Sequence, residues 1–85
     1  MAMSDIQLQI PAQLGAILRA LRKSRGLTQH DLAHQLGITR QAISLLEQRP
    51  EAATIERLMR VFAVLNVDVL LRPRDAADAP TAGDW

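Results

Sequence analysis

The 85-residue chain contains no cysteine and no tyrosine. Without thiols there can be no disulfide framework, no cysteine-ligated zinc ribbon and no thiol nucleophile. Aromatic side chains are almost as scarce, Phe62 and Trp85 being the two that occur. The core must then be assembled from Leu, Ile, Val and Ala, which suits packed helices better than a sheet sandwich. Long apolar runs are missing too. The most apolar stretch, 61–71, is interrupted by Asn66 and Asp68, far short of the roughly 20 apolar residues that span a bilayer. The first residues, from Met1 to Ile6, carry neither the basic start nor the apolar block of a secretory signal. A soluble, cytoplasmic protein is the expectation.

What is present fits one small domain. Hydrophobic residues make up 48% and charged residues 22%, a globular rather than a disordered balance. So short a chain buries only about 60% of the surface its unfolded form exposes, so association with a second copy would help it. Net charge is +1, but it is unevenly spread. Between Arg19 and Arg49 six basic residues (Arg19, Arg22, Lys23, Arg25, Arg40, Arg49) face two acidic ones (Asp31, Glu47). From Pro73 onward Arg74 stands against Asp75, Asp78 and Asp84. A basic first half with an acidic tail points to a polyanion partner plus a second binding surface.

Residues 1–10 read as an extended arm, because Ile6, Leu8 and Ile10 alternate with Gln7 and Gln9. Pro11 suits the first position of a helix, and Leu14, Ile17, Leu18 and Leu21 then form an apolar stripe that Gly26 closes. Thr28 opens a second helix with Asp31 in its first turn and Leu32, Ala33 and Leu36 on its buried side. Gly37 ends that helix. A third runs from Thr39 to about Gln48 with Ile43 and Leu46 inward, and Pro50 stops it. A fourth starts at Thr54, with Ile55, Leu58, Phe62 and Leu65 expected inside, Met59 as a further core filler, and Asn66 as its end. Val67, Val69 and Leu71 then alternate with Asp68, Leu70 and Arg72, a strand pattern that Pro73 terminates. A lone strand has unpaired edges, and a symmetry mate is the simplest supplier of its partner. Residues 73–85 lack any core-forming pattern and are expected to be disordered alone.

The second and third helices are short and joined by a few residues around Gly37. Such a pair is expected to cross steeply, as in a helix-turn-helix, with Ala33 small at the close approach. Anchoring by Ile43 and Leu46 would leave Arg40, Gln41 and Ser44 projecting outward. These side chains suit a DNA major groove: Arg pairs with guanine O6 and N7, Gln with adenine N6 and N7, and Ser donates or accepts. Thr39 can reach a phosphate or a thymine methyl. Gln29, at the start of the second helix, can offer its amide and side chain to a phosphate. Arg19, Arg22, Lys23 and Arg25 could flank phosphates or simply serve solubility.

The run from Leu27 to Glu47 resembles the lambda-repressor-like (Xre-type) helix-turn-helix, with Leu-Thr-Gln, Leu-Ala, Leu-Gly-Ile and Ile-Ser-x-x-Glu elements at the family's spacing. The resemblance covers about Ala12 to Asn66. The Pro11-Ala-Gln-Leu14 start, a strand in place of a fifth helix and a tail ending in Trp85 are more specifically similar to HipB-type antitoxins. Leu45 is a departure, standing where relatives often place a polar, base-contacting residue. The resemblance implies an all-α, lambda-repressor-like bundle of four helices over residues 11–66. It also implies a C-terminal strand, 67–72, that pairs across a homodimer through Val67, Val69 and Leu71. It further implies a repressor that silences its own operon by binding palindromic operator DNA through Gln29, Thr39, Arg40, Gln41 and Ser44. The partner so implied is a HipA-type serine/threonine kinase toxin, with Trp85 docking into it.

Other readings compete. A free-standing Xre-type regulator would bind DNA without a toxin partner. His30-Asp-Leu-Ala-His34 has the i, i+4 spacing of a metalloprotease motif, but Asp31 is a methylene shorter than the glutamate that motif uses, and no third ligand is suitably spaced. Neither enzyme activity nor a metal or cofactor is therefore expected. A tail tryptophan can also be idle.

Overall fold

The computed structural model describes residues 5–75. Among them the regular elements are α1 (Pro11–Ser24), α2 (Gln29–Leu36), α3 (Arg40–Gln48), a single 3-10 turn (Pro50–Ala52) and α4 (Ile55–Val64). The architecture is all-α with four helices, as the apolar periodicities predict. No helix among the described residues is long and apolar enough to cross a membrane.

Each helix starts where its sequence provides a cap. Pro11 occupies the first turn of α1, and the Gln13 side-chain oxygen accepts from the Gln9 and Ile10 amides at 2.8 and 3.1 Å. Thr28, Thr39 and Thr54 begin α2, α3 and α4, each hydroxyl accepting an amide hydrogen from the residue three positions on. Such caps stabilise by about 1 kcal/mol apiece. The stops are equally local. Gly37 takes φ +70°, its amide donates to His34 and that of Ile38 to Ala33, so the chain reverses sharply after α2. Asn66, with φ 58°, performs the same turn after α4.

Leu18, Leu21, Leu32, Ala33, Leu36, Ile43, Leu46, Leu58, Val61 and Leu65 form the buried core, with Leu14, Ile17, Ile38, Phe62 and Val67 packed on its edge. Each fully buried leucine, isoleucine or valine contributes about 1.5–3 kcal/mol. Two expectations fail on α4: Ile55 is 75% exposed and Met59 49% exposed. The buried stripe is Leu58, Val61 and Leu65, whose centre lies about 90° around the helix from Ile55 and about 130° from Met59 at 100° per residue. The apolar periodicity is right and its phase is rotated.

The helices meet closely at one point. Gly15 of α1 lies directly against the backbone carbonyl of Glu47, so a methyl group there would overlap that oxygen. This contact brings α1 onto the C-terminal half of α3. Beyond Asn66, Val67 turns back onto the core while Val69, Leu70 and Leu71 are exposed. Residues 67–75 form neither helix nor ladder within the single chain; a ladder across a twofold requires a second copy. Trp85 lies outside the described residues.

Candidate nucleic-acid interface

The geometry of α3 follows from its two-sidedness. Ile43 is fully buried and Leu46 4% exposed, so the core grips one side of the helix along its length. The opposite side carries Arg40, Gln41, Leu45 and Gln48, all exposed, with Ser44 half-buried between them. Thr39, also exposed, caps the helix through its hydroxyl oxygen, which accepts from the Ala42 amide at 3.1 Å. Arg40, Gln41 and Ser44 are therefore brought onto one outward face, with Thr39 at its leading end. Gln48 was not singled out from the sequence. Its side-chain nitrogen donates to Ser44 Oγ at 3.2 Å, one turn apart on the same face, and that i, i+4 spacing is the signal that could have found it.

Gln29 sits at the first turn of α2, half-buried, and its side chain is held rather than loose. Gln29 Nε2 donates to Glu47 Oε1 at 3.2 Å. Its backbone amide belongs to a helix turn with no intrahelical acceptor, at the end of the helix that favours an anion. Glu47 is the hinge of this arrangement. Arg22 Nε donates to Glu47 Oε2 at 2.7 Å and Arg22 Nη2 to Glu47 Oε1 at 3.2 Å, while Arg22 Nη1 donates to the Leu27 carbonyl at 2.8 Å. The two side chains are 7% and 6% exposed. Removing one partner from a pair so enclosed costs about 3–5 kcal/mol. The network ties α1, the entry to α2 and the end of α3 into one rigid frame.

Two of the basic residues that could have flanked phosphates are thereby assigned to structure. Arg22 is committed to Glu47. Arg25 Nε donates to the Leu65 carbonyl at 2.9 Å and its Nη2 to that of Asn66 at 3.2 Å, clamping the end of α4 to the end of α1. Arg19 and Lys23 remain on the exposed side of α1. A sequence cannot separate these four roles, because surface and buried arginines look alike until the fold places them.

His30 and His34 line an open depression on α2 with Leu27, Asp31 and Gln35. Asp31 is engaged in the cap: its Oδ2 accepts from the Thr28 amide at 2.9 Å, and its own amide donates to Thr28 Oγ1 at 3.0 Å. The Thr28 amide foremost, and then the Thr28 hydroxyl, hold the Asp31 carboxyl below the usual aspartate range, and the two histidines add a smaller pull in the same direction. Among the described residues no group of three His, Cys, Asp or Glu side chains is placed to hold a metal.

Comparison with known proteins agrees with this geometry. A helix-turn-helix family model matches residues 18–71. Antitoxin HipB of Escherichia coli (strain K12) is 29% identical over 69 residues, which span 81% of this chain and 78% of that protein. Among solved structures, a HipB–O1–O2 complex superposes with a TM-score of 0.74 at 26% identity, covering 81% of this chain and 100% of the HipB chain. A HipA–HipB–O2–O3 complex gives a TM-score of 0.75 at 25% identity, over 84% of this chain and 100% of the matched one.

Proposed function

Because the chain belongs to the helix-turn-helix family, we propose that it is a sequence-specific DNA-binding repressor and the antitoxin of a HipBA-like toxin–antitoxin pair. The observation that carries the DNA reading is the outward face of α3: Arg40 and Gln41 exposed with the half-buried Ser44 between them, while Ile43 and Leu46 lock the other side into the core. A helix held this way enters a major groove as a rigid rod, and its arginine and glutamine offer bidentate pairing to guanine and adenine. Gln29, steadied by Glu47, and Thr39 set the register on phosphates. The protein acts by binding, not by catalysis.

A homodimer places two such helices in successive major grooves, about 34–36 Å apart, on a palindromic operator. Val67, Val69 and Leu71 supply the pairing strand, and the exposure of Val69 and Leu71 in the single chain leaves them available for it. The antitoxin role rests on the similarity to antitoxin HipB and to a chain solved together with HipA and DNA. A HipA-like kinase is accordingly the protein partner, and Trp85 its anchor, a large ring able to act as a hot spot.

Binding of the full chain to DNA upstream of its own gene, measured by fluorescence anisotropy, tests the reading. Affinity is expected to fall steeply as salt rises, because phosphate contacts release counterions. An absence of sequence preference, or a flat salt titration, overturns it. Co-purification with a kinase-like protein separates the antitoxin from a free-standing regulator.

A further inference from the structure

Leu45 is the one apolar side chain standing fully outward on α3. It is 52% exposed, whereas its neighbour Leu46 is 4% exposed and Ile43 is fully buried. At 100° per residue it lies about 40° from Gln41 and about 60° from Gln48 around the helix axis, within the same face as the polar side chains. It contributes nothing to the core from there. Nor does it extend an apolar patch along its own helix: its neighbours one turn away are the exposed Gln41, Gln48 and Arg49 and the small, half-buried Ala42, which argues against a protein-docking surface.

We propose that Leu45 is a specificity-determining residue that reads a thymine methyl group in the major groove. This rests on the DNA reading above and deepens it. A leucine has no donor or acceptor, so it gains nothing from the hydrogen-bonding edges that Arg40 and Gln41 can address. Among the bases displayed in the major groove, thymine alone presents a methyl group, at C5. Contact between that methyl and Leu45 removes apolar surface of both from water. At the opposite base choices, the same side chain lies against a polar edge whose hydration it displaces without replacement. Leu45 therefore selects by favouring thymine and by penalising the alternatives.

The experiment starts with duplexes enriched from a randomised pool by the full-length protein. In the best duplex each thymine is replaced in turn by uracil, which deletes the C5 methyl and leaves every hydrogen-bonding atom in place. Wild-type protein is expected to lose affinity on the order of fourfold, the worth of one buried methyl, at one thymine of each half-site. Leu45→Ala is expected to bind the parent duplex more weakly and to be indifferent to uracil at that position. Leu45→Gln, a second variant with an amide of similar reach, is expected to lose the thymine preference at that base pair. Uracil scans with no sensitive position, or equal losses for wild type and Leu45→Ala, overturn the assignment while leaving DNA binding intact. A pool that enriches no duplex rejects the DNA reading itself, and this assignment with it.

Discussion

Arg22 and Glu47 form a two-pronged ion pair between α1 and α3, with bonds of 2.7 and 3.2 Å and both side chains nearly closed off from water. Glu47→Ala leaves the guanidinium buried without its carboxylate. Chemical denaturation should show a loss of about 3–5 kcal/mol. Replacing both residues together, as Arg22→Met with Glu47→Leu, is expected to restore most of it, since the desolvation of two charges is then avoided. A double variant no more stable than the single one would show that the pair is worth more than its hydrophobic substitute.

Gly15→Ala is the smallest change with a large expected effect. The added methyl overlaps the Glu47 carbonyl oxygen, a backbone atom that cannot swing aside. Overpacking of this kind costs about 1–3 kcal/mol, despite the better helix propensity of alanine. A thermal melt with an unchanged or raised midpoint would mean that α1 can move off α3 freely.

Asp31 gives stability a defined pH dependence. Its native carboxyl is held below the range of the unfolded chain by the Thr28 amide and hydroxyl, so the unfolded state binds the proton first. The contribution is therefore complete well above the free aspartate value of about 3.9, declines as pH falls past it, and is lost as pH falls through the lower native value. Wild type should be more stable than Asp31→Asn near neutrality, and the difference should shrink on acidification. A constant difference down to strongly acid pH would contradict the capping role of the charge.

Arg40→Ala should weaken binding to the operator by about 1–3 kcal/mol and flatten the preference at one base position. A uniform loss across all sequences would instead mark Arg40 as a phosphate contact.

Arg25→Ala deletes two bonds to the Leu65 and Asn66 carbonyls just beyond α4, each worth roughly 1 kcal/mol or somewhat more to a charged donor. Amide hydrogen exchange at Val67, whose amide donates to the Phe62 carbonyl at 2.9 Å, should accelerate while exchange at Ile43 is unaffected. Equal acceleration at both would indicate global destabilisation rather than release of the segment that follows α4.

The parts of this molecule legible in the sequence are those set by local chemistry. The caps at Thr28, Thr39 and Thr54, the left-handed stops at Gly37 and Asn66 and the two-sidedness of α3 each depend on residues within one turn of each other. Long-range commitments were not legible. Arg22 and Glu47 are 25 positions apart and Arg25 and Leu65 are 40 apart, and nothing local distinguishes them from surface charges. Gly15 reads as an ordinary helix residue until the Glu47 carbonyl arrives beside it. The phase error on α4 has a similar origin: Leu58 and Phe62 fit two overlapping stripes, and packing against α2 selects the one containing Val61.

Gln29 and Arg22 hold the same carboxylate. A phosphate drawing Gln29 toward the duplex pulls against an anchor that also keeps the hydrophobic interior assembled. If Gln29 holds a phosphate as proposed, heat tolerance and operator affinity both depend on the Glu47 side chain, and selection for a stronger grip on one disturbs the other.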